Sequence, residues 1–123
     1  MAFTLTIENS GSDVQLATIA VKNGIDLRIF PPLPANTSKT ERILVLGLFY
    51  IFVGVPGAKG GPTLAVQVTP KSDSPTAGKV TFACKRKTDG NLDPDFVIVA
   101  FSANMTVKIL DDPRSFFNLA PRG

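Results

Sequence analysis

The run Ile43 to Val55, reading ILVLGLFYIFVGV, carries no charged residue and a single hydroxyl, on Tyr50. A chain containing it folds only if that apolar surface leaves water. Three structures bury such a run. A membrane-spanning helix needs about 20 apolar residues, whereas this stretch is closed off by Glu41-Arg42 on one side and Pro56-Gly57 on the other, so no transmembrane segment is expected. A core helix is a rival, because Ser38-Lys-Thr-Glu41 has the spacing of a capping box. The composition favours a strand. Ile43, Val45, Phe49, Tyr50, Ile51, Phe52, Val53 and Val55 are β-branched or aromatic, and Gly47 and Gly54 each weaken a helix by about 1 kcal/mol relative to Ala. One strand of that length would be unusual, so a bend or bulge is expected at Gly47, where the missing side chain lets the backbone kink.

At 123 residues the chain is expected to form a single domain, residues 1–123, with one core. Hydrophobic residues make up 44% and charged residues 19%, which excludes a disordered or solvating chain. The net charge of +3 is too mild to demand a polyanionic partner. Histidine is missing altogether, which removes Ser-His-Asp and Cys-His nucleophiles, His-containing zinc sites and histidine pH switches. No catalytic constellation remains to assign, and the expectation is a protein that is not an enzyme and needs no cofactor. Cys84 is the sole cysteine, so no internal disulfide can form. The start Met1-Ala-Phe-Thr-Leu-Thr lacks a basic leader and an apolar export core, which leads us to expect cytoplasmic synthesis.

Taken along the chain, Phe3, Leu5 and Ile7 alternate with Thr4, Thr6 and Glu8, the period of a strand with one wet face. Asn9-Ser-Gly-Ser12 reads as a turn. A second strand from about Asp13 to Val21 changes phase midway, which predicts a bulge near Ala17 or Thr18. Asn23-Gly24 is a hairpin signal and leads into a third strand with Ile25, Leu27 and Ile29 on one side. Pro31-Pro32-Leu33-Pro34 ends it, and Ala35 to Thr40 reads as a polar loop. After the central run come a Gly-rich connection, an alternating strand with Leu64, Val66 and Val68, and another with Val80, Phe82 and Cys84. Phe96 to Phe101, FVIVAF, is apolar throughout and reads as a strand covered on both faces. Ser102-Ala-Asn104 is expected to close a hairpin onto Met105, Val107 and Ile109, and Asp112-Pro113 to start a short C-terminal helical turn. The fold class that follows is all-β, an antiparallel β-sandwich of about eight strands of Ig-like or jelly-roll type.

Several clusters are candidate sites. Asp89, Asn91 and Asp93 repeat the alternating oxygen ligands of a calcium loop, with Asp95 as a further donor. The pattern breaks at Pro94, where the loop needs glycine, and at Ala100, where it needs glutamate; a turn between strands explains the same residues. Lys85, Arg86 and Lys87, with Arg28, offer a weak nucleic-acid surface, against which stands the ordinary solvated turn. The basic neighbours of Cys84 favour a reactive thiol, but its place in step with Val80 and Phe82 favours an inert one in the core. Phe116, Phe117 and Leu119 are expected to dock on the domain or on a second copy, since one or two helical turns are unstable alone. The leading functional expectation is a non-enzymatic structural protein acting as a self-assembling subunit, a homo-oligomer of the kind found in virus or phage coats, decoration proteins or tails. The alternative is a loop-based binding module for carbohydrate, calcium or RNA.

Overall fold

The computed structural model describes residues 2–10, 15–22, 27–28, 30–44, 47–55, 62–71, 77–85 and 95–111; for residues 18–22, 27, 28, 85 and 95 the backbone alone is described. Nine strands lie in these segments: β1 (Ala2–Asn9), β2 (Ala17–Lys22), β3 (Leu27–Arg28), β4 (Thr37–Leu44), β5 (Phe49–Gly54), β6 (Leu64–Pro70), β7 (Ala77–Lys85), β8 (Asp95–Phe101) and β9 (Met105–Ile109). They form two sheets, a four-stranded one in the order β4-β1-β7-β8 and a five-stranded one in the order β3-β2-β5-β6-β9. The protein is an all-β sandwich. No helix among the described residues is long and apolar enough to cross a membrane, and the expected helical turn after Asp112 lies outside them. In a constant-type Ig sandwich the first two strands pair in one sheet; here β1 and β2 belong to different sheets, and β1 pairs antiparallel with β4 and parallel with β7.

The period-two reading of the first strand holds residue by residue. Phe3, Leu5 and Ile7 are buried while Thr4, Thr6 and Glu8 stay partly exposed on the outer face. The core fills the space between the sheets, with Phe3 of β1 meeting Phe49 of β5 at a ring-centroid distance of 5.5 Å and an interplanar angle of 49°. Around them pack Leu5, Ile7, Ile51, Val53, Val66, Val68, Val80, Phe82 and Met105. Each such side chain contributes about 1.5–3 kcal/mol by burial. Fit is close at Gly78, where an added Cβ would come within 2.5 Å of the Met105 sulfur and 3.0 Å of the Phe3 ring. Asn9 ends β1 inside the core rather than opening a turn. Its side-chain amide donates to the Leu33 carbonyl at 3.0 Å, and its own carbonyl accepts from the Asn36 N–H at 2.7 Å, which ties β1 to the proline-rich segment.

The run Ile43 to Val55 is strand on both sides of Gly47, and the helical alternative fails because the Ser38-Glu41 spacing falls inside β4. The kink comes at the expected residue, with Gly47 at φ 90°. Its consequence is larger than a bend: β4 ends at Leu44 in one sheet and β5 begins at Phe49 in the other, so the run passes from layer to layer. β5 lies between β2 and β6 and is buried on both faces, with Phe49, Ile51 and Val53 toward the core and Phe52 packed with Ala65, Tyr50 and Leu110 on the outside. The bulge expected in the second strand is present, as a register shift between Thr18 and Ala20 opposite β5.

Two expectations need correction. The polar segment read as a loop is strand from Thr37 onward, because an edge strand with little core contact shows no alternation to read. Its entry is a turn at Asn36, whose φ of 61° an asparagine tolerates, capped where the Thr37 hydroxyl donates to the Pro34 carbonyl at 2.6 Å. Of the expected third strand, Leu27–Arg28 is strand, while Ile25 and Ile29 lie outside the described residues. The expected closing hairpin is a crossover: β8 pairs with β7, whereas β9 pairs with β6 in the other sheet. Side-chain hydrogen bonds hold that corner. The Ser102 hydroxyl accepts from the Lys79 N–H at 2.8 Å, and the Asn104 amide donates to the Ala77 carbonyl at 2.7 Å.

Candidate functional site

The outer face of the four-stranded sheet is a polar ladder. The Thr6 and Thr40 hydroxyls lie 2.8 Å apart, the Thr81 hydroxyl donates to Glu8 Oε1 at 3.1 Å, and Lys79 Nζ sits 3.4 Å from Glu8 Oε2. This is the wet face expected of an antiparallel-type layer. Its two edges are built differently. On β4 the residues opposite Asn9, Ile7, Leu5 and Phe3 are Thr37, Lys39, Glu41 and Ile43, so two of the four positions on the core-facing side of that edge are charged, and they pair with each other at 3.8 Å. Inward-pointing charges and polar neighbours blunt an edge against pairing with another strand.

β8 has no such guard. Phe96 to Phe101 contains no charge, and β8 has only β7 as a strand partner among the described residues. Three of its large apolar residues are open to solvent, Val97 at 39%, Val99 at 57% and Phe101 at 47%. The continuous run reads as a strand covered on both faces; among the described residues it is instead the last strand of its sheet, with Val97 and Val99 open to solvent, and this is a third correction. The pairing explains how the exposure arises. Phe96 faces Cys84 and Ile98 faces Phe82 on the core side, Phe101 is in register with core-side Val80 but stays open at the strand's end, outside the packed core, and Val97 faces Ala83 and Ala100 faces Thr81 on the outer side. Between Ile98 and Ala100 the register shifts, leaving Val99 without an opposite residue on β7. It is a β-bulge, and the strand changes phase across it. Beside the bulge lies an open groove of about 250 Å³ lined by Lys79, Thr81, Ala100, Phe101 and Ser102.

The residues singled out from sequence fare as follows. Asp89, Asn91 and Asp93 lie outside the described residues; Asp95 opens β8 opposite Lys85. Among the described residues there is no group of three or more His, Cys, Asp or Glu side chains that could hold a metal ion. Arg28 and Lys85 fall in different sheets, on β3 and β7, so they do not share the single sheet surface that the RNA reading needed. Arg86 and Lys87 lie outside the described residues, as do Phe116, Phe117 and Leu119. Cys84 is half-buried on the core side with Val80 and Phe82, where the alternation placed it. What sequence reasoning missed is the set Val97, Val99 and Phe101. The signal was present as an uncharged run, but nothing local distinguishes a buried central strand from an apolar edge.

No protein family, curated protein or solved structure matches the chain.

Proposed function

We propose that this protein is a non-enzymatic structural subunit that works as repeated copies of itself, the role played by subunits of coats, decoration layers and tails. The observation that supports this reading is the uncharged β8 edge, where Val97, Val99 and Phe101 stand in solvent beside a sheet whose opposite edge is guarded by charge. An apolar edge strand costs free energy in water and invites pairing with another strand, so a chain that keeps one has a use for it. The absence of histidine adds weight, since it removes most acid–base and nucleophilic machinery.

Native mass by light scattering across a concentration series tests the reading, with refractive-index detection because the chain has one tyrosine and no tryptophan. The expected result is a mass that rises above the 13.1 kDa of one chain. A mass that stays at one chain up to about millimolar concentration, where even weak specific association is populated, overturns it.

A further inference from the structure

We infer that two copies pair antiparallel through their β8 edges about a two-fold axis between Ile98 and Val99, joining two four-stranded sheets into one continuous sheet; this rests on the self-assembly reading above. The register follows from the bulge. Residues directly opposite each other across two strands share a face, so a seam is built only where core-facing positions meet core-facing ones and outer meet outer. On β8 the core-side positions are Phe96, Ile98 and Phe101, and the outer ones Val97 and Ala100. The antiparallel register that satisfies this at the assigned positions sets Phe96 opposite the partner's Phe101 and Val97 opposite the partner's Ala100, and brings Ile98 opposite the partner's bulged Val99. A shift by one residue in either direction puts an outer position against a core-side one. The two bulges then meet at the axis and their phase changes cancel, so Val99, which has no opposite residue on β7, acquires one.

Charge supports the same occupant. No charge lies within the seam, Phe96 to Phe101. β8 begins at Asp95, and its other end runs into Ser102, whose N–H donates to the Lys79 carbonyl at 3.0 Å. The two-fold sets each Asp95 position opposite the partner's neutral Ser102, so no like charges face each other at the ends. A seam without charge, whose ends set a charged position against a neutral one, escapes the repulsion that like charges impose in a self-pairing and fits a second copy of this chain. A seam this short buries less than the roughly 1,200–2,000 Å² of stable specific interfaces, so the pair is expected to form in the micromolar range or above.

The test uses the full chain carrying Cys84→Ala, with one new cysteine per variant. Directly opposite residues have Cα atoms about 4.5–5.5 Å apart, within disulfide reach, while positions three residues out of register lie beyond it. Val97→Cys mixed with Ala100→Cys is expected to give a disulfide-linked pair on mild oxidation, and either variant alone is expected to give little. Both positions are exposed, so the fold is retained. In the native chain Val99→Lys is expected to weaken pairing at least about tenfold by setting two like charges beside the axis. If the native chain assembles but the mixed cysteine variants do not cross-link and Val99→Lys assembles as before, the β8 seam is wrong and the self-assembly reading stands on another surface. If the native chain stays at the mass of one copy throughout, both fall.

Discussion

β4 and β8 flank the same four-stranded sheet, face the same core and are of similar length, yet they meet solvent in opposite ways. β4 gives the core little beyond Ile43 and has Thr37, Lys39 and Glu41 at its remaining core-side positions. β8 sends Phe96 and Ile98 inward and leaves Val97, Val99 and Phe101 uncovered. The difference teaches that edge position and apolarity are independent variables. One edge is soluble by composition; the other requires either a partner or a standing cost in free energy.

Breaking each strand's hold on the core should separate the two edges most strongly. Phe96→Ala is expected to destabilise the fold by about 3–5 kcal/mol and Ile43→Ala by about 2–5 kcal/mol, measured by denaturant unfolding, because both side chains are buried and leave cavities. A loss below about 1 kcal/mol at Phe96 would mean that β8 is not anchored by its core side. Next in size is the crossover that separates β4 from β5. Gly47→Ala puts a side chain at φ 90° and should cost roughly 1–3 kcal/mol, although the space around it is open. A neutral Gly47→Ala would show that the backbone there takes another conformation.

The comparison is sharpened by making β4 resemble β8. Replacing Lys39 and Glu41 together by valine should change the unfolding free energy by no more than about 1 kcal/mol, since the ion pair they lose is largely exposed. The same change is expected to raise the native mass by opening a second sticky edge, read by light scattering; an unchanged mass would show that the charges do not guard β4. Smallest is Thr40→Val, which removes one of two hydroxyls bonded across the outer face. Its expected cost is about 0.2–1 kcal/mol, again by unfolding.

The sequence spoke most clearly where burial alternates or where backbone chemistry is special. Phe3, Leu5 and Ile7 gave the first strand, Val80, Phe82 and Cys84 the seventh, and Gly47 the kink, because each depends on neighbours within a few residues. It spoke poorly at Thr37 to Thr40, where an edge strand bonds through its backbone on one side and its side chains need no pattern. The expected hairpin from β8 to β9 failed for a related reason. A short connection looks the same whether the chain returns beside itself or passes to the opposite sheet, and here Ser102 and Asn104 bond the corner to β7. Of the residues weighed as sites, Arg28 and Lys85 were separated by topology, which no spacing in the chain records.

The sequence alone determined that this chain makes strands around an apolar core and that histidine chemistry plays no part. These follow from composition and from periodicity, properties of each segment by itself. Only the tertiary structure decided that the apolar stretch Phe96 to Phe101 stands at an edge while the equally apolar Phe49 to Gly54 stands at the centre. The reason is that exposure belongs to the neighbours a strand acquires. Those neighbours come from distant parts of the chain, so two strands of the same character can end in water or in the core.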